Sequence, residues 1–193
     1  MLNMRLVNDE VGYAADPIPR IDRSDIQAMV DRAVASPRGR MRVCTHRSPD
    51  DCLHEMLIVH TKDTYVRPHK HEGKSESFHV IEGLMDVVVF DASGGVTDVL
   101  ELGDYRSGRT FYYRMREPLF HTLLIRSDVV IFHEITDGPF RPSDTVFASW
   151  EPPPHDEAAR ELFRRHLDSQ IFHRAPRATP LPMEHRSRSK DGQ

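Results

Sequence analysis

The sequence predicts an all-β domain, a sandwich or closed barrel, with a short α-helix before it and another after it. Between about residues 41 and 150, short runs rich in Val, Ile, Phe and Tyr are divided by turn residues at close intervals, which is typical of antiparallel strands. No segment with helical periodicity interrupts these runs, so a parallel βαβ fold is disfavoured. Apolar residues recur at helical spacing from Asp22 to Ser36 and again from about Asp156, and these segments predict the two flanking helices.

The chain of 193 residues divides by this pattern into four parts. Residues 1–40 are predicted to form an N-terminal arm and the first helix, residues 41–150 the barrel, and residues 151–172 the C-terminal helix. Residues 173–193 are rich in Lys, Arg and Pro and poor in large apolar groups, which predicts a disordered tail.

Composition excludes several classes of function. The 26 basic and 30 acidic residues leave a net charge of −4, which is too balanced for a protein that binds mainly nucleic acid backbones. No apolar span is long enough for a transmembrane helix, and the first residues lack the pattern of a secretory signal. The two cysteines form no disulfide framework, so we expect a cytoplasmic protein without nucleic acid or membrane partners. The twelve histidines are the unusual feature.

Eight runs inside the barrel region are predicted strands. Each is bounded by residues that favour turns. They are His54–His60, Thr64–Lys70, Ser75–Ile81, Leu84–Asp91, Val96–Glu101, Thr110–Arg114, His121–Arg126 and Val129–Ile135.

Alternation along these strands predicts which polar side chains face the interior. A two-residue hairpin turn at 82–83 would place Glu76 at the end of an apolar face and His79 opposite Asp86 on the other face. In the preceding strand, His69 and His71 share one side. Two imidazoles and one carboxylate are therefore expected to converge in one cavity.

A second predicted hairpin, with its turn at 127–128, would place His121 and Glu134 side by side. His121 would then add a third imidazole to the cluster. Three nitrogen ligands and one carboxylate oxygen suit a divalent transition metal such as Zn, Fe, Mn or Ni, and an octahedral ion would keep two positions open. Glu134 could orient His121, act as a catalytic acid–base group, or form a salt bridge at a strand end.

Two segments resemble the conserved motifs of cupins. In PHKHEGKSESFHVIEG the spacing of the first cupin motif is met at His69, His71, Glu76 and Gly83. Residues 103–125 are similar to the second motif, whose histidine corresponds to His121, although Pro118 and Ile125 depart from its usual glycine and asparagine. The resemblance implies a double-stranded β-helix (jelly-roll) barrel that binds one divalent metal through His69, His71, Glu76 and His121.

Further segments resemble the WbuC family of cupin fold metalloproteins. They include ASPRGRMRVCTH, YVRPHKH and DGPFRPSDTVFASWEP, and with the two motifs they cover about residues 22–162. The resemblance implies a link to bacterial polysaccharide (O-antigen) gene clusters, without defining a reaction. Resemblance to other cupins implies a homodimer.

Three functions remain open at this stage. The first is an enzyme that uses the metal as a Lewis acid or an O2 site on a small-molecule substrate, anionic or sugar-like, with Glu134 and Arg67 as candidate catalytic residues. The second is a metal-dependent binding or sensing protein without turnover. The third is a metal-independent sugar isomerase or epimerase, which a complete set of four ligands disfavours.

Overall fold

Two β-sheets that pack face to face form the body of the protein. The structure, a computed structural model, describes residues 2–174, so the predicted tail from residue 175 onward lies outside the described residues. The strands are β1 (Met4–Asn8), β2 (Val11–Ala14), β3 (Arg40–Cys44), β4 (Leu53–Thr61), β5 (His69–His71), β6 (Glu76–Glu82), β7 (Leu84–Phe90), β8 (Val96–Gly103), β9 (Tyr112–Met115), β10 (Phe120–Ile125), β11 (Val129–Asp137) and β12 (Thr145–Phe147). The two α-helices are α1 (Arg23–Ala35) and α2 (Glu157–Arg174).

The strand order defines a jelly roll. One sheet has seven strands in the order β1-β2-β3-β4-β11-β6-β9, and the other has five in the order β12-β5-β10-β7-β8. From β4 to β11 the chain passes repeatedly from one sheet to the other, so the central neighbours β4-β11-β6-β9 face β5-β10-β7-β8. This is the double-stranded β-helix of cupins, and it confirms the predicted fold class with its flanking helices.

Both predicted hairpins are wrong, because each connection crosses between sheets. Strand β6 pairs with β11 and β9, while β7 pairs with β10 and β8. The crossing at Gly83 requires glycine, since its φ is +89° and an added Cβ would lie 2.3 Å from the carbonyl oxygen of Val129. Likewise β10 and β11 belong to different sheets, so His121 and Glu134 are not cross-strand neighbours.

The predicted inward and outward faces of β6 and β7 hold even though their pairing does not, because alternation along a strand is independent of its partner. The predicted inward apolar residues belong to one buried core: Phe78, Val80, Met85, Val87 and Val89. His79 lies outside, opposite His133 on β11. The predicted contact between His79 and Asp86 is wrong, since Asp86 is buried and accepts a 2.6 Å hydrogen bond from Arg126 Nε.

The predicted irregular arm contains two strands that extend the seven-stranded sheet. Strand β2 pairs in parallel with β3, so the arm covers what would otherwise be the edge of the barrel. Helix α1 follows, capped by Asp22, and packs Met29 and Ala33 on the outer face of this sheet. These strands are only five and four residues long and depend on β3 for pairing, so local periodicity gives little sign of them.

Two further differences lie near the cluster. The predicted strand Thr64–Lys70 is replaced by a segment without regular secondary structure, and a strand begins only at His69, directly after Pro68, which lacks an N–H group. Strand β12 was not predicted, and its three residues pair with β5. The cluster strand β5 therefore lies between β12 and β10.

Helix α2 packs on the outer face of the five-stranded sheet. Leu167 is 2% exposed and lies in a core cluster with Val88 and Phe90 of β7. Arg126 links the helix to the barrel, because it binds both buried Asp86 and Asp168 of α2. No helix in residues 2–174 combines the length and the apolar character needed to cross a bilayer.

Candidate metal centre

Three histidines meet on the inner face of the five-stranded sheet. His69 and His71 alternate along β5, and His121 on β10 lies directly opposite His69. One ring nitrogen from each histidine lies within 4.8 Å of the others. This spacing allows the three imidazoles to hold one metal ion.

Glu76 reaches the same point from the facing sheet. It begins β6 and is 4% exposed, with Oε1 at 3.1 Å from Nε2 of His121 and Oε2 at 3.6 Å from Nε2 of His71. The hydroxyl of Tyr113 donates a 3.2 Å hydrogen bond to Oε1. The structure therefore brings together all four residues predicted as ligands.

The other ring nitrogens of the histidines are held by the fold. Nδ1 of His69 lies 2.7 Å from the carbonyl oxygen of Arg67, and Nδ1 of His121 lies 3.0 Å from that of Leu119. A carbonyl only accepts, so each Nδ1 carries the proton and Nε2 is left as the ligand atom in the neutral ring. Nδ1 of His71 lies 3.3 Å from the hydroxyl of Thr145. The donor set thus fits a divalent transition metal in chemistry and in ring orientation.

Burial sets the protonation of this cluster. Burial, with the neighbouring imidazoles, lowers the pKa of His69 to about 3, and burial likewise lowers the pKa of His71. Both rings are therefore neutral at pH near 7, as metal ligands must be. Burial opposes ionisation of Glu76, but His121 and the other imidazoles outweigh it and lower its pKa to about 2. The pKa of His121 is raised, because Glu76 overcomes the effect of burial.

A cavity of about 120 Å³ adjoins the cluster, and His71 is the cluster member that lines it. Its wall on the seven-stranded sheet is built from facing positions of neighbouring strands, since Cys44 pairs with Met56 and Met56 pairs with Glu134. Burial and the charge of Glu76 raise the pKa of Glu134 to about 8. Glu134 is therefore mostly protonated near neutral pH, although it faces solvent in the cavity.

The other predicted catalytic residue, Arg67, is directed elsewhere. Its guanidinium forms a hydrogen-bonded ion pair with Glu151 and lies 3.5 Å from the ring centre of Phe147. Arg67 is not among the described residues that line the cavity. Lys74 does line it, but its ammonium group binds the carbonyl oxygen of Pro139 and lies 3.2 Å from the carboxylate of Asp144.

Several cavity residues were not predicted from the sequence. They come from segments before the first motif: Tyr13, Cys44, His46 and His54. The rings of His46 and His54 stack with centres 4.0 Å apart, and the imidazole of His46 also meets Tyr13 edge to face. Alternation along β4 could have indicated His54, since Met56 and Ile58 on the same face are core residues.

The fold is a cupin-type double-stranded β-helix, and it carries a candidate metal centre. The profile of a domain of unknown function, DUF6016, matches residues 21–102. No curated protein shows significant sequence similarity to the chain.

Solved structures with a similar fold include protein SO0799 from Shewanella oneidensis, with 13% identity, a TM-score of 0.49, and 68% of this chain and 84% of that one covered. L-ribose isomerase from Cellulomonas parahominis is 15% identical, with a TM-score of 0.44 and coverage of 58% and 72%. The capsular polysaccharide assembling protein CapF from Staphylococcus aureus is 16% identical, with a TM-score of 0.47 and coverage of 58% and 32%. The chain therefore spans about a third of the length of CapF.

Proposed function

We propose that this protein is a metal-dependent cupin of the WbuC type that acts on a small molecule. The observation that carries the proposal is the convergence of three imidazoles and one carboxylate, with Nδ1 of two rings held by backbone carbonyls. The proposed ligands are His69, His71, Glu76 and His121. The resemblance to the WbuC family supports a carbohydrate-related substrate. The resemblance to other cupins supports a homodimer.

A bound divalent ion would supply Lewis-acid chemistry, or a site for O2 if the ion is iron. The protein's own residues determine what reaches it. The core next to the cluster is apolar and includes Phe78 and Val89, whereas His71 lines the cavity and is partly exposed. On the cavity side lies the carboxyl group of Glu134, which is placed to give and take a proton. In the metal-free protein burial and the charge of Glu76 raise its pKa to about 8, and a bound cation would lower it from that value.

Substitution of the ligands tests the metal centre. His69→Ala and Glu76→Ala are each expected to lose most of the bound metal by elemental analysis of the purified protein, because each removes one of four ligands. His79→Ala is the matched control, since His79 lies on the outer face of the same sheet as Glu76. Equal metal content in the three variants would contradict the proposed ligand set.

Turnover is tested separately from metal binding. Iron-loaded protein would be screened with sugar nucleotides and keto acids, with both product formation and O2 uptake followed. An enzyme is expected to consume one of these compounds. A compound that raises the melting temperature without being converted would instead indicate a binding or sensing protein built on the same centre.

A further inference from the structure

The charged groups around the cavity are unevenly paired. Lys74 is neutralised by Asp144, and Asp137 accepts hydrogen bonds from the backbone N–H and the hydroxyl of Ser75. The guanidinium groups of Arg42 and Arg141, which also line the cavity, have no ion-pair or hydrogen-bond partner among residues 2–174. Two guanidinium groups without ion-pair partners therefore share the cavity wall with the carboxylate of Asp137, which keeps its negative charge.

Arg42 lines the cavity, and its side chain is also exposed to solvent. It lies on β3 between Met41 and Val43, which pack under α1 on the outer face, so its side chain projects from the inner face. Its neighbours Arg38 and Arg40 bind Glu10 outside the cavity, whereas Arg42 lines it.

The charge of Arg42 affects the pKa of other residues that line the cavity. This positive charge acts to lower the pKa of Glu134, His46 and Cys44. For Glu134 and Cys44 this opposes the effect of burial, and for His46 it adds to the effect of burial. No ion pair joins Arg42 to Glu134 or to another acidic residue within residues 2–174, so its guanidinium is available to a ligand in the cavity.

The volume limits the size of the ligand. An engineered protein cavity of about 150 Å³ holds benzene, so the space of about 120 Å³ here holds only a small organic molecule or the end of a larger one. A whole sugar ring with its hydroxyl groups exceeds it.

We propose that the cavity binds the carboxylate end of a small organic acid, with the carboxylate held by Arg42 and the opposite end directed toward His71 and the histidine cluster. An arginine fork matches the two oxygens of a carboxylate. The part of this inference that directs the opposite end of the ligand toward the metal centre rests on the proposed function. The binding of the carboxylate by Arg42 does not depend on it. The inference narrows the substrate class to short carboxylic acids or to the acidic end of a carbohydrate-related molecule.

Calorimetric titration of two matched probes tests this recognition. Pyruvate and dihydroxyacetone contain the same number of non-hydrogen atoms, and only pyruvate carries a charge. The wild-type protein is expected to bind pyruvate roughly tenfold or more tightly than dihydroxyacetone, and Arg42→Gln is expected to remove most of this preference. Arg42→Lys, which keeps the charge and loses the fork, is expected to retain part of it.

Arg106→Gln is the matched control, because Arg106 is exposed in the turn next to Gly83, at the far end of β6 from Glu76. It removes the same charge and is expected to leave pyruvate affinity unchanged. The titrations are run on zinc-loaded protein and on protein stripped of metal and dialysed. Arg42-dependent binding in stripped protein that takes up no zinc would support this inference while overturning the metal centre. Unchanged pyruvate affinity in Arg42→Gln, or no pyruvate binding to the wild-type protein, would overturn the inference whatever the metal content.

Discussion

The raised pKa of Glu134 predicts that removing its charge stabilises the protein at high pH. In the metal-free protein its pKa is about 8, against an ordinary 4.5, so between these values the native state binds one proton more than the unfolded chain. The wild-type protein therefore loses stability from this group as pH rises through that window. In Glu134→Gln the side chain cannot ionise, so this decrease in stability with pH is absent.

The size of the effect follows from the shift. At about 1.4 kcal/mol per pH unit, the change from 4.5 to about 8 corresponds to about 5 kcal/mol. Glu134 keeps part of its surface in contact with solvent at the cavity wall, so we expect about half of this value. Between about pH 5.5 and about pH 8.5, the free energy of unfolding of Glu134→Gln should rise by about 2 kcal/mol relative to that of the wild-type protein.

Urea unfolding of chelator-treated protein at several pH values measures this difference. The buried histidines His60 and His69, whose pKa values burial lowers to about 3, also make stability depend on pH, but their effect is common to both proteins and cancels. Glu82→Gln is the control, since Glu82 is exposed at the end of β6. If the difference between Glu134→Gln and wild type stayed constant across this pH range, the assigned pKa shift would be refuted.

Two further predictions concern stability away from the cavity. Arg126→Ala should lower the free energy of unfolding, measured in urea, by about 2–3 kcal/mol, because it leaves the buried carboxylate of Asp86 without its nearest cation. Asp168→Ala removes only the exposed partner of Arg126 and should lower the free energy of unfolding by under about 1 kcal/mol. An equal loss of stability in the two variants would contradict the idea that Arg126 stabilises the protein by pairing with the buried carboxylate of Asp86. Phe132→Ala should cost about 3–5 kcal/mol, since this ring is 1% exposed in the barrel core, while Leu162→Ala at 70% exposure should have little effect in the same assay.

The cluster could be predicted from the sequence because its signals are local. His69 and His71 alternate on one strand, and this periodicity fixes their common side wherever the strand is placed. Glu76 could be placed in the interior in the same way. The cupin-like spacing of the two motifs then linked these residues to His121, which alternation on its own strand does not do.

Strand pairing could not be predicted in this way. A connection as short as the one at Gly83 suits either a hairpin or a crossing between facing sheets, and local sequence does not distinguish them. The cavity was missed for a related reason, because Arg42, His54 and Glu134 come from three strands that meet only after the seven-stranded sheet is assembled. Arg67 lies near His69 in sequence, yet its ion pair with Glu151 depends on a segment that follows the barrel.

The pairing of β1 with β2 and the parallel pairing of β2 with β3 make residues 4–14 part of the seven-stranded sheet. Removal of the segment that contains β1 and β2 would leave the backbone of β3 as a free sheet edge, which favours aggregation. It would also take Tyr13 out of the cavity wall. A chain shortened to begin where the DUF6016 match begins, at residue 21, would therefore be a poor reagent for ligand screening even if it kept every histidine of the cluster.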